Sequence, residues 1–116
     1  MGFESHVWAH LAGQARKNPQ VALACTADEI ACALEDGRTV AVRTIENARL
    51  FAADLGLVEK LAGEGLAMAS LSWNAAGPLA SGHDTHENLS PAGAAAVREL
   101  ERNGVAIDVS HLNDEC

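Results

Sequence analysis

The chain has no tyrosine, two phenylalanines and two tryptophans among 116 residues, and only eight basic residues against sixteen acidic ones. The basic residues are scattered rather than gathered on one run or face, and the formal charge is −8, so nucleic acid is not an expected partner. Long apolar runs are missing too. Glu, Asp, Arg or Gly interrupts every stretch well short of the ~20 residues that span a bilayer. The opening Met1-Gly2-Phe3-Glu4-Ser5-His6 lacks the charged and apolar regions of a signal peptide. The expectation is a cytoplasmic protein with no membrane partner. Cysteine is sparse: Cys25, Cys32 and Cys116 form an odd count without CxxC spacing, which implies no disulfide framework and suits a reducing compartment. Cys25 and Cys32 stand among Ala and Leu and read as small buried hydrophobes. No phosphate loop, Gly-x-Ser-x-Gly elbow or dinucleotide fingerprint occurs, which removes nucleotide-binding and serine-hydrolase readings.

What is present is a regular alternation of periodicities within a single expected domain, residues 1–116. Phe3, Val7, His10, Leu11 and Ala15 fall near helical spacing until Asn18-Pro19 stops them. Val21 to Ala24 is short and apolar, as a buried strand is. Thr26-Ala27-Asp28-Glu29 has the form of a capping box and opens a helix that Gly37 closes. A strand follows over Thr39 to Ile45. Asp54 is placed to cap a helix carrying Leu55, Val58, Leu61 and Ala62, ended by Gly63 or Gly65. Leu66 to Ser72 reads as the next strand, and Trp73 to Leu89 as a long polar loop. Ser90-Pro91 then starts a helix through Ala94, Val97 and Leu100, closed by Gly104, before a last strand over Val105 to Val109.

Strands alternating with helices require parallel pairing with right-handed crossovers. The expected fold class is therefore α/β: about four parallel strands, half of a (β/α)8 TIM-like barrel that in full needs ~250 residues. The chain stops at Asn113-Asp114-Glu115-Cys116, where a further helix cap would follow, so a fragment is expected. Three strand ends carry chemistry: Ile45 runs into Glu46, Ser72 into Trp73-Asn74, and Ser110 into His111. Parallel pairing puts all three along one sheet edge, where α/β folds hold their active sites.

The run Leu71-Ser72-Trp73-Asn74, then Asn88-Leu89-Ser90-Pro91-Ala92-Gly93, Val97-Arg98-Glu99-Leu100 and Asn103 to Leu112 with Asp108-Val109-Ser110-His111, resembles the central part of the membrane dipeptidase (renal dipeptidase) family of zinc peptidases. Thr44-Ile45-Glu46-Asn47 occupies the place of that family's Ile-Glu-Gly segment, and Asn18-Pro19, Thr26 and Gly37 also fall in register. The resemblance implies a metal-dependent dipeptidase on a (β/α)8-like barrel with two zinc ions bridged by one glutamate, which by position is Glu46. It implies a dipeptide substrate, with Trp73 and Asn74 on the substrate side. His111 is expected to be a hydrogen-bonded residue supporting the metal site rather than a ligand. The family's other ligands, a His-x-Asp on the first strand and two histidines beyond this chain's last strand, have no counterpart here. Many members carry a histidine at the position of Trp73, and Asn47-Ala48 replaces their usual glycine pair, which puts the backbone after Glu46 in question. The isolated chain is expected to be inactive. The alternative is a non-catalytic half-barrel that covers its open sheet edges by forming a homo-oligomer or pairing with another chain.

Other histidines have plainer readings. His83-Asp84-Thr85-His86 has ligand-type residues within one turn but reads as a flexible polar loop. His6 and His10 stand one helical turn apart on a half-exposed face, and Trp8 reads as packing.

Overall fold

The computed structural model describes residues 3–116, with the side chains of residues 3–5 left aside. The chain divides after Arg43 into two compact units.

In the first unit, α1 (Phe3–Lys17) packs on β1 (Val21–Ala24), and α2 (Ala27–Glu35) leads into β2 (Thr39–Ile45), whose last two residues belong to the second unit. β1 and β2 pair in parallel, Val21 opposite Thr39 and Ala24 opposite Val42. Trp8 is buried, and the Arg43 guanidinium lies 5.3 Å from its ring centroid, a cation–π contact. The capping box forms as its residues dictate: Thr26 Oγ1 accepts from the Glu29 N–H, and Glu29 Oε2 accepts from the N–H groups of Thr26 and Cys25. Gly37 has φ +69, the left-handed turn that ends such a helix. Cys25 and Cys32 are exposed, against the expectation of burial. The reason is local: α2 buries only Ala33, so its neighbour Cys32 looks outward, and Cys25 precedes the cap with its thiol on the Glu29 carboxylate.

The second unit carries a 3-10 turn (Arg49–Ala52), α3 (Leu57–Gly63), β3 (Leu66–Ser70), α4 (Pro91–Arg102) and β4 (Ala106–Asp108). β3 and β4 pair in parallel, Met68 opposite Ala106 and Ser70 opposite Asp108. Phe51, Val58, Leu61, Leu71, Leu79 and Leu100 form its buried centre. Ser90 caps α4, accepting from the Gly93 N–H at 2.9 Å with Pro91 in the first turn. Both strands are shorter than their apolar runs, because Leu71, Ser72 and Val105 are buried without strand pairing. Asp54 does not cap α3. Its Oδ1 accepts from Gly56 N–H two residues on, a local turn that competes with helix, and Gly56 takes the cap position without a side-chain bond.

Four parallel strands alternate with helices, the expected α/β arrangement of a partial (β/α)8-type barrel. No helix among the described residues is long and apolar enough to cross a membrane.

Candidate functional site

The site begins where β2 stops. Asn47 adopts φ +54, a left-handed conformation that asparagine tolerates better than most side chains. Its N–H donates to Ser70 Oγ at 2.9 Å, and the next N–H, of Ala48, donates to the Ser70 carbonyl at 2.8 Å. Ser70 and Ala48 are both buried, so the end of β3 clamps the turn from inside. Ala48 has an ordinary φ of −71, so this turn needs no glycine pair. Glu46, directly before it, points outward with its side chain 67% exposed.

A second bent end meets it. After β4, Asp108 Oδ1 accepts from the Ser110 N–H at 2.9 Å, and hydrogen bonds from the Ser110 hydroxyl and N–H hold the Asp108 carboxyl below its usual range. The bend carries the chain to His111, which has φ +70. His111 Nε2 then lies 3.1 Å from Glu46 Oε1, across 65 residues of sequence. A pair this exposed contributes little to stability, between zero and about 1 kcal/mol. Two non-glycine residues in left-handed backbone, Asn47 and His111, each cost of order 1 kcal/mol or more. The geometry is therefore not explained by stability, and strain of this kind gathers at functional sites.

The segment after β3 is a loop tied to its surroundings by hydrogen bonds. Ala76 bridges to Ser81 and Gly82 to Leu112, Asp84 N–H donates to Asn74 O, and the Asn113 amide donates to Thr85 O and Glu87 O. Leu79, Ala80 and Ser81 are buried beneath it, which ties an otherwise polar loop to the core. Gly82 is required there: a Cβ would come 1.7 Å from the Trp73 carbonyl oxygen. The pinning brings His83 to the site. Its N–H donates to the His111 carbonyl at 2.9 Å, the two rings stack with centroids 6.3 Å apart, and its Nε2 lies 3.2 Å from Asp84 Oδ1. His86 goes elsewhere, to Glu115 at 3.2 Å. His83 was missed in the sequence because its four-residue cluster pairs it with His86. Only the long-range bridge from Gly82 to Leu112 sets it beside His111.

Trp73 is 55% exposed and, with Asn74, Asn47 and Arg49, lines a cavity of about 290 Å³ that borders the turn after Glu46. Arg49 is a second residue the sequence did not single out. Trp73 can offer a wall and an indole N–H donor but cannot take up or release a proton at neutral pH. The Glu46 carboxylate and the His111 imidazole are both metal-donor types. Among the described residues no group of three or more His, Cys, Asp or Glu is arranged to hold a metal ion.

Residues 9–116 match the sequence pattern of the membrane dipeptidases, peptidase family M19. The chain belongs to that family. A peptidase of family M19 appears among its structural neighbours. A metallopeptidase from Rhodobacter sphaeroides, liganded with a phosphinate mimic of the dipeptide L-Ala-D-Ala, is 27% identical with a TM-score of 0.84, covering 92% of this chain and 33% of that one. A metallopeptidase of M19 designated dipeptidase AC is 26% identical with a TM-score of 0.85, covering 93% and 35%. An amidohydrolase from Pseudomonas aeruginosa is 25% identical with a TM-score of 0.88, covering 99% and 37%. The chain thus spans about a third of the length of these structures. Among curated proteins, none matches it. The M19 family is one of metallopeptidases, which implies a metal cofactor for the family.

Proposed function

We propose that this chain supplies part of the metal-binding edge of a zinc dipeptidase, with Glu46 and His111 as two metal donors and Trp73 and Asn74 on the substrate side. The observation that carries the reading is the 3.1 Å approach of His111 Nε2 to Glu46 Oε1. An imidazole nitrogen and a carboxylate oxygen so placed match two neighbouring ligands of one cation, and imidazole with carboxylate suits zinc. This makes His111 a donor beside Glu46 rather than only its support.

The donor set is nonetheless short. A catalytic zinc takes three protein ligands and a water, and this edge offers two. A metal held there in a complete site would polarise a peptide carbonyl and lower the pKa of a bound water. No step of hydrolysis follows from the two donors alone. What the chain's own residues do is narrower: Ser70 and the Asn47 turn hold Glu46 in place, and the Asp108–Ser110 bend presents His111. The substrate reading, a dipeptide, rests on family membership and on the dipeptide mimic bound by the Rhodobacter relative.

Calorimetric titration of zinc into the chain tests it. Glu46→Gln and His111→Ala are each expected to weaken zinc binding by about tenfold or more. Equal affinity in all three proteins would remove both residues from the metal. The chain by itself is expected to show no zinc-dependent hydrolysis of simple dipeptides, and measurable turnover by the pure protein would refute the count of donors.

A further inference from the structure

We propose that His83 is a positioning residue whose ring holds the His111 imidazole against Glu46. Its effect on zinc rests on the Glu46–His111 reading above, while its effect on the His111 ring stands without it.

The His111 ring needs holding. It is half-buried on a left-handed residue, φ +70, that follows the bend held by the Asp108–Ser110 bond. On one side its Nε2 meets Glu46 Oε1 at 3.1 Å, but Glu46 is exposed, and an exposed charged partner on a flexible side chain holds a ring only weakly. The second side is taken by His83. The two rings stack with centroids 6.3 Å apart and 29° between their planes, within the range of aromatic pairs. His111 thus stands between a carboxylate that follows β2 and a ring from the loop after β3.

His83 is itself fixed. Its N–H donates to the His111 carbonyl at 2.9 Å, and Gly82 before it bridges to Leu112. Asn113 locks the same two segments together: its N–H donates to the Ser81 carbonyl at 3.1 Å, and its side-chain amide donates to the Thr85 and Glu87 carbonyls. All of these bonds use the backbone of the loop, so they set residue 83 beside His111 whatever side chain it carries. Histidine at that place then decides what the His111 ring meets: a flat face, oriented by the 3.2 Å contact of His83 Nε2 with Asp84 Oδ1. That pair is too exposed to add much to stability, so its consequence falls on the neighbouring ring. His86, three residues on in the same loop, turns to Glu115 instead and serves as the control.

Two readouts test the role. In chelator-treated, metal-free protein, three-bond NMR couplings to the His111 Cγ report its χ1. One staggered rotamer is expected in the natural chain and averaging over two or more in His83→Ala. His83→Phe keeps a flat face and is expected to retain the single rotamer. Asp84→Ala should lose it in part, and His86→Ala should leave it unchanged. Zinc titration is the second readout: His83→Ala is expected to bind about tenfold more weakly than the natural chain, and His83→Phe within about threefold of it. A single His111 rotamer in both His83→Ala and Asp84→Ala would overturn the role of the ring. So would averaging in His83→Phe as full as in His83→Ala, or averaging in His86→Ala. Unchanged zinc affinity in a His83→Ala protein whose His111 ring averages would overturn its bearing on the metal. A natural chain that binds no zinc removes the Glu46–His111 reading, and the couplings then decide the positioning by themselves.

Discussion

Ser70 Oγ accepts the Asn47 N–H at 2.9 Å, joining the end of β3 to the left-handed residue that follows Glu46. Truncation to Ser70→Ala leaves a backbone donor without its partner in a buried place, a loss of about 1–3 kcal/mol. Chemical denaturation should show that loss, and zinc titration should show weaker binding although Ser70 is no donor. An unchanged zinc affinity in a folded Ser70→Ala protein would mean that the clamp does not position Glu46.

The φ of +54 at Asn47 predicts an ordered response to substitution. Asn47→Gly is expected to be nearly neutral, since glycine takes this conformation freely but loses more chain entropy on folding. Asn47→Val should cost about 1–2 kcal/mol, because a branched Cβ crowds the following carbonyl in left-handed backbone. Urea midpoints of the two variants decide it, and a stable Asn47→Val would show that the turn can relax.

Ser72 points the other way. Its hydroxyl is fully buried and has no hydrogen-bond partner among the described residues. Burying a hydroxyl without a partner costs desolvation on folding and alanine removes that cost, so Ser72→Ala should be neutral or stabilising, by up to about 1 kcal/mol. Thermal unfolding measures it. A clear loss of stability would show that Ser72 has a partner.

Glu29 supplies a pH dependence. Hydrogen bonds from the Cys25 and then the Thr26 N–H hold its carboxyl below the usual range. A carboxylate depressed in the folded state stabilises fully above its unfolded pKa, roughly 4.3, and that contribution is lost as pH falls through the folded value. The stability gap between the natural chain and Glu29→Gln should therefore be present at pH 7 and shrink toward pH 3. A gap constant over that range would deny Glu29 its capping role as a charged group.

The alternation of helix and strand was legible because it rests on local rules: Thr26 with Glu29, Ser90 with Pro91, and Gly37 and Gly104 each act within a few residues of themselves. The errors fall where a distant neighbour or a competing local bond decides. Asp54 has the chemistry of a cap but bonds Gly56 instead, and Cys25 and Cys32 have apolar neighbours in sequence yet lie exposed. Glu46 and His111 were each visible at a strand end, and their resemblance to a family was readable. Their contact was not, and neither was the arrival of His83 beside His111.

By itself, then, the sequence determined the order of elements, their caps and the family to which the chain belongs, since periodicity, capping chemistry and motif spacing are all properties of the linear chain. Tertiary structure alone decided that Glu46 Oε1 lies 3.1 Å from His111 Nε2, that the loop after β3 is tied down through Gly82, and that Arg49 and Trp73 share one cavity. Those facts depend on parallel strand register and on two left-handed turns clamped by groups tens of residues away, and no local pattern encodes either.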